Sequence, residues 1–318
     1  MKKEAQKKPI GYKKLSLGLK NDMPILIMML PGAVLILLFS YLPMFGIIIP
    51  FKDINMRDGI LGSPWCGLQN FEFLFRTEDA WLITRNTIGY NVIFIIIGTF
   101  LNVSIAIMMS LFSSKRASKI YQTIIIMPYF LSYVIVSYLV FAFLSMDNGF
   151  LNKTILPMLG IEPINWYTVP EQWPWILCVV NFWKWTGYSS VVYLAAIAGI
   201  DVQLYEAAEI DGANKWKQII HITLPSLKLL IVIQTILSIG KILNSDFGLF
   251  YQVPMNSGAL YSTTSTINTY VYNKMISGGA KTLGMSSAAA FYQSVVGFVL
   301  VLLANMIVNK VDPDSALF

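Results

Sequence analysis

The chain has 318 residues, of which 56% are hydrophobic and 13% charged, and its mean hydropathy is +0.61. A soluble domain carries roughly twice that share of charge, so the composition excludes one and calls for long stretches in hydrocarbon: an all-α, polytopic membrane protein. The net charge of +6 would suit nucleic acid, but the basic residues gather at one end and in short loops, as membrane topology requires.

Residues 1–22 hold seven lysines and read as a basic cytoplasmic segment, with room for a short interfacial helix near residues 12–20. The first span, residues 24–49, runs outward and is expected to kink at Pro31-Gly32 or Pro43. Because the apolar run starts late, is long and lacks a small-residue cleavage site, it reads as a retained span and not as a signal peptide. Residues 50–84 are turn-rich and form an external loop. The second span, residues 86–112, returns to the basic loop Ser113-Ser114-Lys115-Arg116, and the third covers residues 120–144. A second external loop, residues 147–172, ends at Trp173-Pro174-Trp175. Trp65, Trp81, Trp173 and Trp175 are read as interface anchors. The fourth span reaches Ile200, the fifth covers residues 227–243, a third external segment occupies residues 244–284, and the sixth span, residues 285–308, ends at Lys310. Six transmembrane helices in a domain of residues 23–310 then leave both termini, including the tail 311–318, on the cytoplasmic side.

Between the fourth and fifth spans lies a polar island, residues 206–225, EAAEIDGANKWKQIIHITLP. Glu206, Glu209, Asp211, Lys215 and Lys217 keep it out of hydrocarbon, so it is a loop at a membrane surface. Residues 206–210 favour helix, Asp211-Gly212 break it, residues 213–222 are helix-compatible again, and Leu224-Pro225 begin the next span. Two short helices meeting at a glycine corner result. Ala207 and Ala208 allow close approach of another backbone, while Trp216, Ile219, Ile220 and Ile222 place apolar surface where water is expected. Composition alone would also fit an ordinary amphipathic interfacial loop.

The order Glu206-Ala207-Ala208, Gly212, then Ile222, Leu224 and Pro225 resembles the EAA motif of ATP-binding-cassette importer permeases, and Asp211-Gly212-Ala213 is similar to the carbohydrate branch related to maltose permeases. Phe51-Lys52-Asp53 with Gly62-Ser63-Pro64-Trp65 and Gly67, and residues 246–251 with Ser257-Gly258-Ala259-Leu260-Tyr261, resemble permeases for large polysaccharide fragments. Ile219 departs from the aromatic residue many relatives carry, and a second proline after Leu224-Pro225 is missing. The resemblance implies the importer-permease fold in a bacterial cytoplasmic membrane, with coupling helices in the loop 201–226 that seat in a separate ATPase. It further implies a second permease subunit, an ATPase dimer using ATP and Mg, and an external solute-binding protein that delivers an oligosaccharide. Glu206, Ala207, Ala208, Asp211, Gly212, Ala213, Ile222, Leu224 and Pro225 would carry the coupling.

Lys184 sits near the middle of the fourth span, where an ionisable group needs a reason. Asn181, Lys184, Trp185 and Tyr188 follow helical spacing and share a face that can hydrogen-bond hydroxyls, stack on a sugar ring and attract a carboxylate. A structural lysine paired with an acid or a helix end in a partner subunit is the alternative. Gln234, Ser238 and Lys241 form a weaker stripe on the fifth span, and Tyr129, Ser132 and Tyr133 one on the third, where helix packing is the simpler reading. No G-x-x-x-x-G-K-[ST] loop occurs, so no ATP site of the usual kind is expected on this chain. Cys66 and Cys178 are too few for a disulfide framework, His221 has no metal-ligating neighbours in sequence, and paired membrane carboxylates are absent. A transport subunit is therefore expected, with no catalytic residue, no metal and no cofactor of its own. Its cargo would be a complex oligosaccharide, with an acidic one such as a pectin or xylan fragment favoured weakly by Lys184. Another polar solute or a glycan-acting membrane enzyme are the alternatives.

Overall fold

A computed structural model describes residues 12–55, 57–112, 114–278, 281–313 and 316. Residues 1–11 of the lysine-rich start, and residues 314, 315, 317 and 318 of the tail, lie outside the described residues. The chain divides into two compact units, Met1–Ile49 and Pro50–Phe318.

In the first unit, α1 (Tyr12–Ile36) contains both Pro24 and Pro31 without a break. The helix changes type later, at a π-turn over Leu37–Tyr41 that leads into a 3-10 stretch, Leu42–Phe51. Pro43 stands two residues past that π-turn. A proline cannot donate to the helical ladder and its ring crowds the carbonyl one turn back, and a widened turn gives that carbonyl room. The same spacing recurs at three further π-turns: Leu151–Ile155 before Pro157, Ile219–Thr223 before Pro225, and Gly248–Gln252 before Pro254.

The second unit is built on a pair of long helices, α2 (Glu78–Ser110) and α5 (Trp173–Ala198), which pack along much of their length. Between them in sequence run α3 (Lys115–Ile126) and α4 (Tyr133–Leu144). After them come α6 (Val202–Ile210), α7 (Leu224–Ile239), α8 (Ile267–Gly278) and α9 (Lys281–Val311). Among the described residues the sole strand-like feature is an isolated bridge between Lys52 and Trp65. It folds residues 52–65 back on themselves, with the buried Lys52 ammonium donating to Leu61 O at 2.6 Å.

Three buried clusters hold this unit. Tyr90, Val136, Trp173, Leu177, Leu249, Phe250, Val253 and Leu260 form one, Phe71, Phe73, Ile83, Leu243, Ile267 and Ala288 a second, and Val103, Ala106, Tyr193, Ile197 and Leu227 a third. The first corrects one expectation. Trp173 is fully buried and donates its Nε1 to Trp166 O at 2.7 Å, so it is a core residue, whereas Trp65, Trp81 and Trp175 stay exposed. The segment 244–284, expected as external, also contributes to this core. Its Leu249, Val253 and Leu260 are apolar side chains that short helical turns direct inward.

Among the described residues four helical runs are long and apolar enough to cross a membrane: Asp22–Phe51, Glu78–Ser110, Lys215–Ile239 and Thr282–Lys310. Two bent pairs bring the number to six if each is one span. Arg116–Phe130 joins Tyr133–Leu144 at 97°, and Pro170–Ala198 joins Val202–Ile210 at 70°. The third span is therefore broken where the sequence suggested a continuous helix, because Pro128 closes a 3-10 turn and Ser132 caps the next helix by accepting from Ile135 N at 3.3 Å.

Candidate functional site

Between the first of these cores and the third, the long helices leave a groove of about 470 Å³. α2 lines it with residues from Asn91 to Asn102, α5 with residues from Asn181 to Tyr193, and α7 with Gln234 and Ser238, followed by Lys241, Asn244 and Asp246. These stretches begin where Tyr90 and Val180 belong to one core and end where Val103 and Tyr193 belong to another. The groove thus falls part-way along α2 and α5 and at the end of α7, on helices apolar enough that polar side chains need a partner.

Five of the six residues expected along a substrate path line this groove: Asn181, Trp185, Tyr188, Gln234 and Ser238. Lys184 does not. It is 4% exposed, and its ammonium turns to the broken third span, donating to Tyr129 O at 2.9 Å, to Pro128 O at 3.3 Å and to Leu131 O. It also lies 4.8 Å from the centre of the Tyr133 ring. Pro128 O also accepts from Leu131 N at 3.2 Å, and one cation supplies donors to all three carbonyls at the break. The stripe on α5 is therefore divided, with Lys184 facing α3 and the others the groove.

Tyr133 extends the arrangement. Its hydroxyl donates to Asp246 Oδ2 at 2.6 Å, Trp185 Nε1 reaches the same oxygen of Tyr133 at 3.0 Å, and Asp246 Oδ1 accepts from Gly248 N at 2.9 Å and Leu249 N at 3.3 Å. Asp246 thereby ties the unwound end of α7 to the broken span. Gly248 is obligatory here, since a Cβ would enter the Tyr133 ring. The unwound carbonyls beyond α7 are taken by side chains: Asn91 Nδ2 donates to Ile242 O and Asn244 O, and Gln293 Nε2 donates to Leu243 O. Irregular backbone at membrane depth is tolerated where protein satisfies it and it borders a cavity.

Sequence reasoning missed the α2 wall, Asn91, Thr99 and Asn102. Their signal was present as polar residues at positions 91, 99 and 102 of an otherwise apolar helix. Asn102 Oδ1 is buried without a hydrogen-bond partner among the described residues.

The island forms a second site. Asp201 caps α6 by accepting from Gln203 N at 2.9 Å, and Asn214 caps the following turn by accepting from Lys217 N at 2.9 Å. Between them Gly212 takes φ 76, a left-handed conformation that a Cβ would strain. Ala213 N donates to Ala208 O at 2.8 Å and closes the corner. Lys215 bridges it with Glu209 at 2.5 Å and Gln218 at 3.2 Å, and Tyr205 and Thr223 hydroxyls meet at 2.9 Å. Both hydrogen bonding from Lys215 and its charge hold the Glu209 carboxyl below the usual carboxylate range.

One expectation needs correction here. The second short helix is no separate element: Lys215–Gln218 continues through the π-turn into α7 as one run from Lys215 to Ile239. Pro225 does not end it, because the π-turn accommodates the proline. α6, by contrast, has no buried residue, with Glu206 and Ala207 exposed and Ile210 87% exposed. A nine-residue helix with so little packing in its own chain is marginal alone.

A groove part-way along long helices and beside unwound helix ends, with an unpacked helix at one end, is a transporter's arrangement. The family described as binding-protein-dependent transport system inner membrane component matches residues 102–313. The chain belongs to that family. This permease is 36% identical, over 95% of its length and 93% of the relative's, to the polygalacturonan/rhamnogalacturonan transport system permease protein YteP of Bacillus subtilis. It is 32% identical to protein LplB of the same organism, over 94% and 92% of the two chains. Among solved structures it matches a permease chain of a bacterial ABC transporter involved in the import of the acidic polysaccharide alginate. The TM-score is 0.82 at 32% identity, covering 94% of this chain and 99% of that one. A chain of the bacterial alginate transporter in complex with an alginate pentasaccharide-bound periplasmic protein matches with a TM-score of 0.81, also at 32% identity, covering 94% and 98%. The all-helical fold of the permease is that of an importer subunit, an inner-membrane component.

Proposed function

We propose that this permease moves acidic oligosaccharides inward through the groove between α2, α5 and α7, driven by a separate ATPase that grips α6. The observation that carries it is the pairing of one polar, aromatic-lined groove part-way along α2 and α5 with one exposed helix at the end of α5. Trp185 and Tyr188 offer ring faces for sugars, and Asn181, Gln234, Ser238 and Asn102 offer hydrogen bonds to hydroxyls. The relatives handling polygalacturonan and alginate favour a uronate cargo.

In this reading six spans cross the membrane, both termini are cytoplasmic, and Lys228 at the start of α7 pairs with Asp312 beyond α9 at 2.7 Å on that side. A second permease faces the open side of the groove, an external binding protein delivers the sugar, and ATP with Mg is bound by the ATPase dimer alone. Glu206, Ala207, Ala208, Asp211, Gly212 and Ala213 transmit the closure of that dimer. Ile222, Leu224 and Pro225 pass it into α7, since the run from Lys215 is continuous with the span.

The test is ATP hydrolysis by the complete complex in nanodiscs, with and without binding protein loaded with oligogalacturonate. Proline at 212 cannot reach φ 76 and removes the N–H that meets Glu209 O at 3.1 Å, so Gly212→Pro should keep assembly and lose stimulation. A mutant stimulated like wild type would remove the corner from the coupling path.

A further inference from the structure

The groove holds one cation and one anion among its described lining residues, Lys241 and Asp246. They differ in state. Asp246 is engaged on both oxygens, by the Tyr133 hydroxyl and by two backbone N–H groups. The Lys241 side chain is exposed and forms no ion pair among the described residues. Lys184, the cation expected to attract a charged cargo, is spent on the carbonyls of the broken span and does not line the groove.

Lys241 is also held in place. It stands just beyond α7, in a turn where its own N–H donates to Ser238 O at 3.0 Å and its carbonyl accepts from Asn244 N at 2.8 Å. Asn91 and Gln293 then fix the carbonyls of Ile242, Leu243 and Asn244. A lysine on a pinned backbone, beside hydroxyl-binding amides and two aromatic rings, suits a sugar that carries a carboxylate.

We infer that Lys241 is the residue of this permease that reads the carboxylate of the cargo, and that uronate units are selected at the unwound end of α7. The inference rests on the proposed oligosaccharide import and adds its charge-selecting residue. An ammonium meeting a carboxylate forms a charge-assisted hydrogen bond, and removing it from a partly dehydrated site costs on the order of tenfold to a hundredfold in discrimination.

The experiment uses the full complex with its binding protein in liposomes and compares uptake of oligogalacturonate with uptake of the same oligomer fully methyl-esterified. The binding protein is common to wild type and variants, so a change in the uptake ratio belongs to the permease. Lys241→Met should lower the ratio of charged to esterified uptake about tenfold or more, while Lys241→Arg should keep it within a few-fold. Lys241→Gln, which keeps a polar side chain, should follow Lys241→Met. An unchanged ratio in Lys241→Met, or an equal fall for both cargoes, overturns the assignment. So does failure of Lys241→Met and Lys241→Gln alike to assemble, which would make Lys241 a packing residue. If wild type accumulates neither sugar, the oligosaccharide reading fails instead.

Discussion

An ammonium placed in a bilayer interior must find several acceptors or lose its charge, and Lys184 finds three carbonyls in the break before Ser132 and the rings of Tyr129 and Tyr133 on either side of it. Lys184→Met removes these hydrogen bonds and should lower stability by about 1–3 kcal/mol, seen as an earlier thermal transition of the detergent-solubilised complex. A variant that melts with wild type while losing transport would return Lys184 to the cargo path. Gly187 is a sharper constraint on the same face, since a Cβ there would enter the Ile125 carbonyl. Gly187→Ala should cost about 1–3 kcal/mol or more through overpacking. Gly89→Ala is the contrast: nothing lies within 4 Å of its Cβ position, and helix propensity should make it neutral or slightly stabilising in the same melting assay.

Among elements, π-turns two residues ahead of proline let the backbone absorb Pro43, Pro157, Pro225 and Pro254. At Pro225 this joins the island to a span as a single lever. The corner on which it turns depends on Glu209 and Lys215. Glu209 has its carboxyl pKa depressed in the folded corner, so its contribution is present above the ordinary carboxylate pKa and fades as pH falls through the folded value. Protection from hydrogen exchange over residues 209–218, taken relative to the intrinsic exchange rate at each pH, should therefore fall on acidification into and below the carboxylate range. Glu209→Gln should exchange fast at every pH, and a wild-type corner indifferent to acid would show that the pair does not brace it. Salt should weaken the effect, since both side chains are more than half exposed.

For the whole molecule, α2 at 33 residues is about 50 Å long and exceeds a hydrocarbon layer of about 30 Å, so it crosses the membrane and extends past it. The proposed topology places Cys66 outside and Cys178 within the packed helices, where it is buried. A membrane-impermeant maleimide added to right-side-out vesicles should label Cys66 and spare Cys178. Labelling of Cys66 only after the inner face is opened would invert the topology. The exposed α6 suits the docking of the proposed ATPase.

Composition and hydrophobic runs determined the class, the approximate spans and the polar island, because burial in lipid is a property of long stretches and survives without knowledge of contacts. The glycine corner at Asp211-Gly212 was legible for a related reason, since it depends on residues adjacent in the chain; the caps Asp201 and Asn214 that flank it were seen only in the structure. The groove was legible in part, as helical spacing put Asn181, Trp185 and Tyr188 on one face and Gln234 with Ser238 on another. Only the tertiary structure decided that those faces meet the polar side of α2, that Lys184 serves a break lying more than fifty residues away, and that residues 246–260 fill the core. Such outcomes depend on which carbonyls a fold leaves unpaired and which side chain is near enough to reach them, and that is set by packing between distant segments.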